Sequence, residues 1–488
     1  MMNGRALRSV ILVGVAAFGP SIVSAADDDR PPITLETALV PSVVIQGPPG
    51  AVGEPITLRE RMERAGVPGL SIAVVVDGEV AWAHGFGMAD IERGVPVNER
   101  TLFQAASISK PVAAAGAMRL VQEGVMDLGR DIGEDLTSWT IPAYDRVPGE
   151  PVPPVTLRGL LSHRAGMTIH GFPGYQREAE IPSPVGVLDG VGNTDPVVVA
   201  TPPGSAHKYS GGGYTVAQVA MVDADGRFAD FPSLMSSLVL GPLGMADSTF
   251  EQPLPTPLHG RAATGYTGDG SPIDGSWHVY PEMAAAGLWT TPSDLARFFA
   301  SLQRGMAGID GPVLSAASVG EMLRFEGDVR YGLGLNVGTE RIGHGGGNAG
   351  FRCVATFFNE GGDGAVIMSN SDNGWPVNSD VLRTIFVAMD WPGLRPIEKT
   401  VVALTEAQLG RCVGAYEVEG YGAIRVEIDE KKLGLVVTMP DGGRFSLLPE
   451  SDRVFFDPDD GVPITFEIDG DGPAASAVWS GVTATRRP

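Results

Sequence analysis

The chain has 488 residues, 43% hydrophobic and 19% charged, with 66 glycines and 39 prolines. That composition supplies a large core, excludes a disordered polymer and favours two domains over one. Its 58 acids against 35 bases leave a formal net charge of -23, which repels nucleic acid and anionic membranes at long range and argues against both as partners.

Arg5 and Arg8 precede an apolar run from Val10 to Val23, followed by Ser24, Ala25 and Ala26 and then Asp27-Asp28-Asp29. This is the layout of a secretory signal peptide over residues 1–25, and the run falls short of the roughly 20 residues a membrane span needs. A periplasmic or secreted location is therefore expected. Residues 26–55, rich in Pro and Gly, read as an extended arm. Leu70 to Val76, the Asp77-Gly78 turn and Val80 to Gly87 read as a hairpin that opens an antiparallel sheet. Pro111 fits only an opening turn, so the alanine-rich stretch from Val112 to Glu123 predicts a helix beginning near Ser107.

From about 130 to 285 the spacing predicts a loop-heavy helical lobe. Thr291 as cap, Pro292 at the first position and Asp294 in the first turn then open a helix through Leu302. The runs Arg341 to His344, Phe351 to Phe358 and Ala365 to Asn370 read as strands, and Val377 to Met389 as a helix. Past Trp391-Pro392-Gly393, six short strands at close spacing lie between Gly414 and Ile468 and predict a small antiparallel β domain, a barrel or half-barrel, over 405–488. The fold class is thus α+β: an antiparallel sheet flanked by helices plus a helical lobe over 56–395, followed by a β domain. Cys353 and Cys412 fall in different expected domains and read as two free, buried thiols.

The chemistry centres on Ser107-Ile108-Ser109-Lys110. Positions i and i+3 share a helix face, so the Lys110 amine can reach the Ser107 hydroxyl and, unlike a guanidinium, trade a proton with it. A second such spacing, Ser205 to Lys208, follows Pro202-Pro203-Gly204 in a loop and serves as an internal control. No serine has glycines at both -2 and +2, which excludes the nucleophile elbow of α/β-hydrolases. No His-Glu-x-x-His, Cys-x-x-Cys or EF-hand pattern occurs, so no metal or other cofactor is implied. Gly345 to Gly350 matches G-x-G-x-x-G but lacks the strand-to-helix setting of a nucleotide site.

With five motifs in order, the chain resembles the serine β-lactamase-like hydrolases: class C β-lactamases, penicillin-binding DD-peptidases, D-aminopeptidases and family VIII carboxylesterases. The motifs are Thr101 to Lys110, Leu160-Leu161-Ser162-His163-Arg164-Ala165-Gly166, Tyr209 to Tyr214, Ala286 to Leu295, and His344-Gly345-Gly346. The resemblance implies that Ser107 is the acylated nucleophile, Lys110 its partner amine and Tyr209 the phenol of the Tyr-x-Asn motif. It also implies that His344, Gly345 and Gly346 form the substrate-binding strand, and that the N–H groups of Ser107 and Gly347 hold the oxyanion. Either Lys110 or Tyr209 can be the general base on this reading. The residues past 405 resemble an appended lipocalin-like domain.

Two departures bear on substrate. Gly211 stands where penicillin-recognising members carry Asn, and His344 where they carry Lys, so an amide and a fixed charge are missing. The expected function is an exported serine hydrolase acting on small neutral esters or amides. Alternatives are a D-amino-acid peptidase, DD-carboxypeptidase or β-lactamase, and, from another class, a non-catalytic envelope binding protein. Partners are small-molecule ester, amide or peptide substrates. Arg352 is a candidate for restoring charge near the site, while Tyr214, Trp289 and the remaining histidines, His163 among them, read as structural.

Overall fold

The computed structural model describes residues 35, 37–48, 55–142, 153–327, 329–418, 422–431, 433–440 and 442–487. The expected signal peptide and the first part of the expected arm, 26–34, lie outside the described residues. Backbone contacts divide the chain into two units, one containing Arg59–Asn378 and the other Thr34–Leu58 with Ser379–Pro488.

The first unit is built on a seven-stranded antiparallel sheet. Its order is Val95–Pro96, Glu79–Asp90, Gly69–Val76, Gly364–Ser369, Phe351–Phe358, Arg341–Asn348 and Asn336–Val337. Gly69–Val76 and Gly364–Ser369 are apolar without alternation and buried almost throughout, as central strands covered on both faces must be. The expected hairpin forms at Asp77 and Gly78, whose φ values of 53° and 82° suit a two-residue turn with both centres left-handed.

Helix Pro292–Met306 packs on this sheet, capped by Thr291, whose hydroxyl accepts from the Asp294 N–H at 3.2 Å. The helical region is organised around Ser109–Gln122, buried at eleven of its fourteen positions. It starts earlier than Val112, because a 3₁₀ turn at Ala106–Ile108 leads straight into it. Pro111 then falls in the first turn, where no N–H is required. Small residues let neighbours come close: a Cβ on Gly116 would meet Met235 Sδ at 2.6 Å. Helix Gly211–Asp225 packs against this one, with Ser210 as its cap.

In the second unit, eight strands from Gly414–Val418 to Val482–Arg486 close into an antiparallel barrel. Alternation fills its interior: Ile464, Phe466 and Ile468 point in, while Thr465 and Glu467 are more exposed. The six expected strands are joined by Ala474–Trp479 and Val482–Arg486, hinged on Ser480 and Gly481 at φ 49° and 82°. The segment read as an arm contains a strand, Val43–Gln46, paired in parallel with Ile397–Thr400. Cys353 and Cys412 are buried and unbonded to each other.

Asn370 stitches the centre of the first unit. Its Oδ1 accepts the Gly69 N–H at 2.7 Å, and its Nδ2 donates to the carbonyls of Met88, Ala89 and Thr264 at 3.0–3.3 Å; Asn370 itself is fully buried, and only the bond to Met88 is partly open to solvent. Asn370→Ala would orphan these groups and is expected to destabilise the fold by about 3 kcal/mol. Urea unfolding checks this: the midpoint should fall with an unchanged slope, and a loss under ~1 kcal/mol would contradict the role.

Candidate active site

Ser107 lies in the 3₁₀ turn that feeds the buried helix, and among residues 101–110 it alone is not buried. Ala106 before it adopts φ 48°, a left-handed conformation that alanine resists. The turn is held there by its surroundings: Ala105 N–H donates to Leu288 O at 2.8 Å, and the Cys353 thiol donates to Ala105 O at 3.0 Å.

Lys110 is only 2% exposed. Its Nζ hydrogen-bonds Ser107 Oγ at 3.0 Å and donates to Ala285 O at 2.9 Å, so the i, i+3 spacing works as the sequence implies. The same Nζ stands 4.8 Å from the centroid of the Tyr209 ring. Amine, hydroxyl and phenol therefore share one small volume. The control pair does not behave this way: Ser205 spends its hydroxyl on Pro202 O at 2.6 Å, and Lys208 is exposed.

Strand Arg341–Asn348 forms the opposite wall. Arg341 O accepts from Gly338 N–H at 2.8 Å on the outer edge, so by strand alternation Gly343, Gly345 and Gly347 also turn their N–H and C=O outward. The outer strand pairs only as far as Gly343. Gly347 thus presents its N–H on an edge that no strand covers among the described residues. Gly346 faces the other way: a Cβ there would meet Ala105 O at 2.3 Å and Cys353 Sγ at 2.6 Å. Only glycine lets this strand lie against the Ser107 turn.

His344 is buried, with Nε2 and Tyr331 Oη 3.0 Å apart and Nδ1 donating to Gly345 O at 2.5 Å. Burial, aided by the charge on Lys110, pushes its pKa down to about 4 against the opposing Gly345 bond. At neutral pH the ring carries no charge. Arg352 restores none, because its guanidinium is held by Asp372 at 2.9 Å and by the carbonyls of Asn348 and Phe351 at 2.6 and 2.7 Å.

A groove of about 500 Å³ opens beside Gly347, Ala349 and Arg352, walled by Phe172 and Trp375. Phe172 covers Gly211, where a Cβ would meet its ring at 2.9 Å; Trp375 lies 3.0 Å from the corresponding point on Gly345. Aromatic surface thus lies over the side-chain-free position at Gly211. Tyr214 and Trp289 belong to the core, Tyr214 donating to Leu161 O at 2.8 Å.

Glu282, not singled out by any motif, stands at the N-cap position of the short helix Met283–Ala286, without a side-chain capping bond; the Ala285 carbonyl of that helix anchors Lys110. It is fully buried, and neither carboxyl oxygen has a hydrogen-bond partner among the described residues. Burial pushes its pKa from 4.5 up to about 8, so the folded chain keeps a proton that the unfolded chain gives up as pH rises from 4.5. Its contribution to stability is lost across that window. His344 acts in the other direction: below 6.5 the unfolded chain gains a proton the folded chain refuses until about pH 4. Acidification through this window should therefore cost on the order of 3 kcal/mol at this residue. Calorimetry on Glu282→Gln checks the first sign: the melting temperature should rise relative to the parent at pH 8 and much less at pH 5.

The β-lactamase family model matches residues 57–388. Esterase EstB of Burkholderia gladioli is 30% identical over 189 residues, 37% of this chain and 46% of that protein. The chain spans less than half the length of the first curated relatives it matches. Among solved structures, the octameric penicillin-binding protein homologue from Pyrococcus abyssi superposes with a TM-score of 0.59 at 20% identity, covering 88% of this chain and 98% of its own. The D-amino acid amidase from Ochrobactrum anthropi SV3, complexed with L-phenylalanine amide, superposes at 0.53 and 25% identity, covering 68% and 96%. With these motifs on this sheet and helical scaffold, the chain belongs to the β-lactamase family.

Proposed function

We propose that this protein is an exported serine hydrolase that passes through an acyl-enzyme on Ser107 and prefers small, uncharged esters or amides. The observation that carries the reading is the 3.0 Å contact between Lys110 Nζ and the one accessible hydroxyl of the turn, Ser107 Oγ. Residues 56–395 are the hydrolase domain on this reading, 1–25 a signal peptide, and 405–488 an appended lipocalin-like domain.

The chemistry follows from that contact. As Ser107 Oγ bonds to the substrate carbonyl carbon, its proton passes to the base beside it, Lys110 or Tyr209, while Lys110 keeps one N–H on Ala285 O. Backbone N–H groups of Ser107 and Gly347 receive the oxyanion, each worth about 10²–10³ in rate. The carbon–heteroatom bond then breaks, and the leaving group takes a proton delivered through Lys110 or the adjacent Tyr209 phenol. Water attacks the ester on Ser107 by the same route in reverse, releasing the acid.

Substrate preference follows from charge. His344 is neutral, Arg352 is paired with Asp372, and Phe172 and Trp375 offer apolar walls. An anionic substrate would lose its hydration without gaining an unpaired cation. The likeness to the D-amino acid amidase favours amides as a second substrate class.

A fluorophosphonate probe followed by peptide mapping is expected to label Ser107, and folded protein left unlabelled there would overturn the reading. Lys110→Met should lower kcat for p-nitrophenyl butyrate by about 10²–10⁴-fold. On a panel of p-nitrophenyl butyrate, phenylalanine amide of either hand, D-Ala-D-Ala peptides and nitrocefin, kcat/KM should be greatest for the uncharged ester and fall for substrates bearing a carboxylate.

A further inference from the structure

Two histidines from distant parts of the first unit converge on one phenol. His163 Nε2 lies 3.2 Å and His344 Nε2 3.0 Å from Tyr331 Oη, and all three side chains are buried. The direction of every proton in this chain follows from its two ends. At one, the Ser210 N–H points at His163 Nδ1 from 3.1 Å. An amide N–H only donates, so Nδ1 carries the lone pair and the His163 proton sits on Nε2. At the other, a carbonyl only accepts, so the 2.5 Å contact to Gly345 O puts the His344 proton on Nδ1. Between them Tyr331 Oη accepts from His163 and donates to His344. Both ends demand the same polarity, and each donor is used once.

The connection joins the two walls of the site. Ser210 follows Tyr209 and caps helix Gly211–Asp225 by accepting from Gly213 N–H at 2.9 Å. Gly345 lies two residues before Gly347, on an edge where strand pairing has stopped. Three successive glycines bring no side chains of their own to fix that edge. The His344 ring supplies a fastening there, and it can do so only if the ring keeps this tautomer.

We propose that His163 and Tyr331 are positioning residues that lock His344 in its Nδ1–H form, clamp the Gly345 carbonyl and so hold the Gly347 amide at the reacting carbonyl. The inference rests on the acyl-transfer reading of Ser107. The groups facing the clamp are Lys110, His170, His207, Tyr209 and Tyr214, with the His163 ring 4.1 Å from Tyr209, 5.3 Å from Tyr214 and 5.8 Å from His207. Burial first, then the charge on Lys110, hold both rings of the clamp neutral. A charged His344 would donate from both nitrogens and force the Tyr331 proton away from the chain.

Two measurements test this on the full chain. In wild-type protein labelled with ¹⁵N-histidine, proton–nitrogen correlation spectra at pH 7 should show His163 as the Nε2–H tautomer and His344 as the Nδ1–H tautomer, the less common form of free imidazole. A charged or Nε2–H His344 overturns the proposal, and this readout needs no variant of the clamp to fold. Tyr331→Phe removes one oxygen at nearly constant volume. With one oxyanion donor loosened rather than lost, kcat on p-nitrophenyl butyrate should fall by about 5- to 50-fold with KM changed less than about twofold. The acid limb of its pH profile should move to higher pH. Unchanged kcat and pH profile in a Tyr331→Phe protein that melts as a folded domain overturn the clamp while fluorophosphonate labelling of Ser107 leaves the hydrolase reading standing. Absence of labelling in the wild type instead removes the reading on which the clamp's purpose rests.

Discussion

A single buried amine organises this site. Lys110 is buried and its nitrogen is spent on two oxygens, Ala285 O and Ser107 Oγ. An amine out of contact with water needs those partners, so the Met283–Ala286 turn and the Ser107 turn are both required to stand where they do.

The second constraint is a close approach of backbones. Strand Arg341–Asn348 can lie on the Ser107 turn because Gly346 has no Cβ, and the Cys353 thiol beneath it bonds the Ala105 carbonyl of that turn. Ala106 is thereby kept in a left-handed conformation that would relax in isolation. Glycine at 345 and 347 keeps the open edge narrow, with Trp375 and Phe172 supplying the side-chain surface that the strand itself lacks. Charge is arranged by the same logic: Arg352 beside the groove is paired with Asp372, and the His344 ring is neutral.

Much of this is local and therefore legible. The Ser107–Lys110 spacing, the Asp77-Gly78 turn and the Thr291 cap each act over a few residues, and each has its expected geometry. Tyr209 and His344 could be assigned only through family motifs, since nothing within their own neighbourhoods brings them to Ser107. Tyr331 carries no local signal: its partner His163 is 168 residues away. Phe172 and Glu282 are equally silent, because their significance lies in what they cover or leave unpaired. Strand Val43–Gln46 has no local signature, because its parallel partner Ile397–Thr400 lies some 350 residues later. The last hairpin of the barrel did carry a signal, the Ser480-Gly481 turn, but its small and polar residues masked the alternation.

Closure of the C-terminal barrel has a consequence for recognition. Each of its eight strands is hydrogen-bonded to two neighbours, so among the described residues the barrel has no free edge strand for a peptide to extend. Its interior is filled by Tyr416, Phe455, Phe466 and aliphatic side chains, which leaves little room for a ligand of the kind a hollow barrel carries. Any molecule that this module engages must therefore be met by outward-facing side chains and turns, a surface free to diverge without disturbing the ladder beneath it.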